Sequence, residues 1–148
     1  EGLAVDIDPA AAALTACNLD RLGFSNRARV LAGRWIDAIA GEFDLIISNP
    51  PYIRTVDREA LPREVRDFES PLALFAGVDG LDAYRAIFKR APAHLARGGL
   101  MILEFGQGQA AAVNKLATDA FPAARIGVEQ DLSGRPRAMI IDLAPAAN

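Results

Sequence analysis

Apolar residues come along this chain in short runs separated by polar and glycine-rich joints, a pattern that alternates strand-length and helix-length segments. Leu3 to Ile7 reads as a first strand. Asp8 followed by Pro9 starts a helix, with an Asx cap and proline at the first helical position, and the helix is expected to run to about Leu22, where Gly23 ends it. Leu14, Cys17, Arg21 and Leu22 recur at roughly helical spacing, which predicts that Cys17 sits on the buried face as a small hydrophobe. Arg29 to Ala32 is a second strand, followed by Gly33 and Arg34. Trp35 to Ala40 reads as a short helix or turn in which Trp35 and Ile39 pack. Phe43 to Ile47 is the third strand, and its unbroken apolar run from Leu45 predicts burial on both faces, as in a parallel sheet.

From Ile53 to Val78 the period is lost. Charged residues crowd a stretch punctuated by Pro62 and Pro71, which is either a solvated excursion or a lid over whatever lies upstream. Gly77 to Gly80 reads as a turn. Leu81, Tyr84, Ile87, Phe88, Ala91 and Leu95 then line one face of a helix that Pro92 kinks or divides. Gly98 and Gly99 are expected to close it and to start a strand from Leu100 to Phe105, and the turn from Gly106 to Gly108 leads into a helix from about Gln109 to Phe121. Arg125 to Glu129 and Ala138 to Leu143 are the last strands, joined by Asp131 to Arg137 without a helix, which predicts an antiparallel pair. The alternation predicts a doubly wound α/β sheet.

Composition narrows the class rather than the function. The 148 residues are enough for one domain, 51% hydrophobic and 24% charged, and a formal charge of -3 gives no support for tight, non-specific binding to nucleic acid. A single cysteine excludes an internal disulfide framework, and a single histidine, His94, removes most metal-site patterns. No apolar run is long enough to span a bilayer, so a cytoplasmic protein is the expectation.

The stretch with the most chemistry is Asn49, Pro50, Pro51 and Tyr52, directly after the third strand. Two prolines without amide donors stop the strand and hold Asn49 at its carboxyl end, where open α/β sheets place their ligands. A planar NH2 group, whether an amide or an exocyclic base amine, matches this arrangement. It can donate one hydrogen to the Asn49 side-chain oxygen and the other to the Pro50 carbonyl, with Tyr52 covering its face. Such a nitrogen is a poor nucleophile because its lone pair is delocalised, so orientation and local polarity must supply what basicity cannot. Asp8 is explained by its cap. Asp6, at a strand end, is placed either to accept from ribose hydroxyls or to face solvent. Glu104 with Gly106, and Asp131 with Arg135 and Arg137, are weaker signals: Glu104 ends an apolar strand and either faces the same crevice or is a satisfied edge carboxylate, and the bland reading of Asp131 and Arg135 is that they bracket a turn and pair only with each other.

Asn49 to Tyr52 resembles the catalytic motif of S-adenosylmethionine-dependent methyltransferases that modify planar nitrogen atoms, among them adenine-amino DNA methyltransferases. The wider text is more specific: Phe43 to Ile53, Glu69 to Tyr84, Leu103 to Gly106 with Gln109, and Asp131 to Arg135 with Arg137. Together these resemble the catalytic domain of the peptide chain release factor glutamine methyltransferase family, also called the HemK or PrmC family, over nearly the whole chain. The resemblance implies a Rossmann-like class I fold and methylation of the glutamine amide in the Gly-Gly-Gln motif of bacterial class I release factors, with S-adenosylmethionine as donor and no metal. It implies that Asn49, Pro50, Pro51 and Tyr52 hold the acceptor, with Asn49, Pro50 and Tyr52 in the catalytic role, and that Asp6, Ile7, Arg34, Trp35 and Asn49 meet the cofactor. Arg34 stands where family members commonly carry an acidic or polar residue.

By the same resemblance, residues 1–148 are expected to be a partial catalytic domain, without the recognition domain, first strand and glycine-rich cofactor loop that open family members. The sheet would then hold an open slot, and the chain alone would not catalyse efficiently. A nucleic-acid adenine methyltransferase and a truncated, non-catalytic binding module are the competing readings.

Overall fold

The computed structural model describes residues 1–37 and 39–143, so Ala38 of the expected turn lies outside the described residues. The chain divides into two compact units, Glu1–Gly41 and Glu42–Asn148.

In the first unit β1 (Gly2–Asp6) pairs in parallel with β2 (Ala28–Ala32), Gly2 opposite Ala28 and Asp6 opposite Ala32. Helix α1 (Pro9–Arg21) connects them. The Asp8 carboxylate accepts from the Ala10 amide at 2.8 Å with Pro9 at the first turn, so the expected cap is present. The packed stripe of α1 differs from the expectation. Ala12 is buried and Thr15 and Leu19 are half-buried, whereas Cys17 is exposed, as are Leu14 at 63% and Leu22 at 67%. A two-stranded sheet covers only one narrow helix stripe, which holds Ala12, Thr15 and Leu19 and leaves Leu14, Cys17 and Leu22 outside it.

The second unit holds a four-stranded sheet in the order β3-β4-β6-β5, formed by β3 (Phe43–Ser48), β4 (Leu95–Glu104), β5 (Arg125–Gln130) and β6 (Pro136–Asp142). β3 and β4 are parallel, and β6 runs antiparallel to both β4 and β5, which bears out the terminal antiparallel pair. Two short helices, α2 (Arg63–Phe68) and α3 (Pro71–Leu74), lie in the charged segment. Helices α4 (Asp82–Arg90) and α5 (Ala110–Ala120) pack on one another, and α5 packs on β5 and β6. The core is theirs: Tyr84, Ile87 and Phe88 from α4, Val113 and Ala117 from α5, Met101 and Leu103 from β4, and Met139 and Ile141 from β6 are all buried. Phe88 meets Phe121 edge to face, with ring centroids 6.3 Å apart.

Three expectations are corrected here. Pro92 ends the helix instead of kinking it: Ala91–Ala93 is a single 3-10 turn, and Leu95 opens β4. Gly98 and Gly99 therefore lie inside the strand, where the pairing register jumps from Phe43 opposite Leu95 to Leu45 opposite Leu100. β3 is also not buried on both faces, since Leu45 is 50% and Ile47 69% exposed. Those two side chains share one face of the strand by alternation.

Candidate functional site

Sequence-designated residues fall into two groups, one in each unit. In the first, Asp6 closes β1 and Ile7 follows it, 44% exposed, while Gly33, Arg34 and Trp35 follow the parallel neighbour β2. The Gly33 amide donates to the Asp6 carbonyl at 2.8 Å, which brings the two strand ends together at one carboxyl edge. One Asp6 oxygen accepts from the Asp8 amide at 2.9 Å, leaving the other to accept from a ligand. Trp35 is the only residue other than glycine with a positive φ, 50°, among the described residues, and its buried Nε1–H has no hydrogen-bond partner. Backbone strain and an orphaned donor at one residue are two costs that a packed interior normally avoids. Arg34 is exposed.

In the second unit, β3 delivers Asn49 to Tyr52. Asn49 is exposed, Pro50 is fully buried, and Pro51 and Tyr52 are half-buried. The carboxamide is thus held out on a stalk whose next residue is packed in place. Tyr52 is fixed at both ends. Its carbonyl accepts from Gln109 Nε2 at 3.0 Å, its hydroxyl donates to Glu104 Oε1 at 3.5 Å, and the Arg137 guanidinium stands 5.9 Å from its ring centroid. Arg137 also lies 4.0 Å from Glu104 Oε1 and donates to the Phe105 carbonyl at 3.3 Å. Below them the Tyr84 hydroxyl donates to the Glu104 carbonyl at 3.0 Å. Burial, with added repulsion from Tyr52 and Glu104, pushes the Tyr84 phenol well above its ordinary value, so it stays a donor.

Gln109 is a residue to which no chemical role was given from the sequence. Its side chain donates to the Tyr52 and Gly80 carbonyls, at 3.0 and 3.2 Å, and accepts from the Gly106 amide at 3.0 Å. The start of a helix is where a polar residue is read as a cap, and nothing in periodicity reveals partners far away in sequence. Asp131 accepts from the Arg135 and Ser133 amides, at 3.0 and 2.8 Å, which hold its carboxyl below the usual range; it closes a turn, as the bland reading had it.

The charged excursion after Tyr52 is tied at its roots. Ile53 and Phe75 form a parallel bridge, and the Thr55 amide donates to the Gly77 carbonyl at 2.8 Å. Its charges pair at the surface, Arg54 with Asp57 at 2.7 Å and Arg63 with Asp67 at 3.1 Å. Among the described residues there is no group of three or more His, Cys, Asp or Glu that could hold a metal ion, and no helix is long and apolar enough to cross a membrane.

No family model matches the chain. It is 47% identical over 146 residues to a release factor glutamine methyltransferase of Cereibacter sphaeroides, an alignment covering 99% of this chain and 52% of that protein. It is 43% identical over 139 residues to one of Rhodospirillum rubrum, covering 94% of this chain and 42% of that protein. The chain spans about half the length of the curated relatives it matches. Among solved structures it resembles the catalytic domain of human Mettl16 bound to an RNA hairpin, with a TM-score of 0.67 and 13% identity over 99% of this chain and 56% of that one. It also resembles a ribosomal protein L11 methylase from Lactobacillus delbrueckii, with a TM-score of 0.64 and 16% identity over 95% of this chain and 56% of that one. These likenesses show the fold, a Rossmann-like α/β fold.

Proposed function

We propose that the chain, 47% identical to a release factor glutamine methyltransferase over the stretch the two share, is the methyl-transferring part of an enzyme of that family. The acceptor is the side-chain amide of the glutamine in the Gly-Gly-Gln motif of bacterial peptide chain release factors. The observation that carries this reading is the exposed Asn49 carboxamide on a fully buried Pro50, beside a Tyr52 fixed through its carbonyl and its hydroxyl.

S-adenosylmethionine, when bound, would supply an electrophilic methyl carbon whose bond to the sulfonium sulfur breaks as the bond to nitrogen forms, with S-adenosylhomocysteine as the leaving product. The first unit's residues fit its nucleoside part. Asp6 keeps one carboxylate oxygen for a ribose hydroxyl, Ile7 offers an exposed apolar face, and Trp35 has an unused N–H beside the exposed Arg34. Asn49 is proposed to serve donor and acceptor alike.

In the second unit, Asn49 accepts one amide hydrogen of the substrate glutamine through its side-chain oxygen, and the Pro50 carbonyl accepts the other. Pro51 keeps the backbone extended and Tyr52 covers the face of the amide. Both acceptors favour the positive charge that develops on nitrogen as it is methylated, and both fix the lone pair's direction. The proton leaves to water after transfer. This reading implies a cytoplasmic protein, since release factors work there.

An adenine amine would fit the same clamp, so the acceptor decides between the readings. Incubating the intact protein with methyl-labelled S-adenosylmethionine and either a release factor or adenine-containing nucleic acid tests it. Label is expected in the release factor and absent when the Gly-Gly-Gln glutamine is replaced by alanine. Label in the nucleic acid alone would refute the reading.

A further inference from the structure

We infer that Gln109 is a positioning residue for the acceptor clamp, an amide strut that sets where Tyr52, and through it Asn49 and Pro50, stand relative to the sheet. This rests on the proposed acceptor role of the Asn49 to Tyr52 stretch. Prolines fix the backbone at Pro50 and Pro51, but the segment leaves the sheet at Ser48, so something must hold its far end. The Gln109 side chain does so from the position just before α5, by joining three backbone segments. It reaches the Tyr52 carbonyl at 3.0 Å, the Gly80 carbonyl in the turn before α4 at 3.2 Å, and the Gly106 amide at the end of β4 at 3.0 Å.

Both amide hydrogens and the oxygen are used, so the side chain cannot flip without placing oxygen against two carbonyls. The surroundings are shaped to admit it. A Cβ on Gly80 would lie 2.4 Å from the Tyr52 carbonyl oxygen and 2.7 Å from Gln109 Nε2. A Cβ on Gly106 would lie 2.8 Å from both Gln109 Oε1 and the Tyr52 ring. Two glycines therefore clear the space through which one amide ties the clamp to the turn and to the strand end. A helix cap would need none of this: Gln109 makes its longest-range bonds to residues 57 and 29 positions away.

The test is Gln109→Glu in the intact protein, with wild type beside it. The carboxylate keeps the size and the oxygen facing Gly106, and replaces both donations by repulsion from the Tyr52 and Gly80 carbonyls. Methyl transfer to a Gly-Gly-Gln protein is expected to fall about 10- to 100-fold in kcat, the scale of an ångström-sized misplacement, with KM for S-adenosylmethionine within about twofold and the protein still folded by circular dichroism. An unchanged kcat, or a loss matched by an equal rise in cofactor KM, overturns the inference. A second readout does not depend on the acceptor. In labelled protein, the Asn49 side-chain amide and Tyr52 ring resonances are expected to shift in Gln109→Glu and in Gly106→Ala, while resonances at the far end of β5 do not. If wild type methylates no Gly-Gly-Gln protein, the acceptor reading fails, and these shifts still decide the strut: their presence supports it, and unmoved Asn49 and Tyr52 signals refute it.

Discussion

Asp79 shows how single residues around the clamp are held. Arg85 donates to its carboxylate, the Leu81 amide adds a bond at 3.1 Å, and together they lower its pKa from 3.8 to about 2. The folded state thus holds the proton less tightly than the unfolded chain. The resulting stabilisation is present above about pH 4 and is lost as pH falls through 2, and solvent screening of the half-exposed pair keeps it small. Carbon-detected titration of the Asp79 carboxyl is expected to show a midpoint near 2 that moves toward 3.8 in Arg85→Ala. A wild-type midpoint near 3.8 would contradict the pairing. Acid therefore acts on the turn whose Gly80 carbonyl meets Gln109. At this scale the chain is most legible where partners are close in sequence: the Asp8 cap and the Asp131 turn follow from their immediate neighbours. Cys17 was not legible, because which helix stripe is covered depends on the width of a sheet that helix spacing does not report.

Among the elements, β4 teaches the most. A pair of glycines after a proline reads as a helix stop, yet Gly99 sits where the ladder skips and backbone presses close. A Cβ there would lie 2.8 Å from the Ala96 carbonyl oxygen and 3.2 Å from that of Asp44. Gly99→Ala is expected to cost about 1–3 kcal/mol, because backbone must move to admit the methyl group. Chemical denaturation of the variant measures this, and an undiminished midpoint would mean that the bulge relaxes freely. Bulges leave no periodic trace in a sequence, so the strand's first half was read as helix. The direction of the last strand pair was more accessible. The missing helix between β5 and β6 was enough to predict their antiparallel pairing, since a parallel pair needs a crossover. The unbroken apolar run of β3 identified a strand correctly but overstated its cover, because composition cannot say whether a neighbour is present on both sides.

For the whole molecule, the two units carry unequal shares of the packing. The second holds most of the buried core, including Tyr84, Phe88, Met101, Leu103, Met139 and Ile141, whereas the first buries Ala12 and Ile36. A unit with so little apolar burial cannot offset its chain entropy alone. The division matches the chemistry proposed for each: a well-packed unit that carries the clamp and a thin one that carries the residues suited to a nucleoside. The clamp was legible in Asn49 to Tyr52 because prolines write backbone direction into sequence. The Gln109 strut was not, because it depends on where three distant segments meet. The central claim is that this clamp methylates a glutamine amide, and it is tested most directly by locating the methyl group. After reaction of the intact protein with S-adenosylmethionine and a release factor, fragment mass spectrometry is expected to find one methyl on the side chain of the Gly-Gly-Gln glutamine, reduced on the order of 100-fold or more in Asn49→Ala. A methyl group elsewhere on the factor, or the same yield from Asn49→Ala, would contradict it.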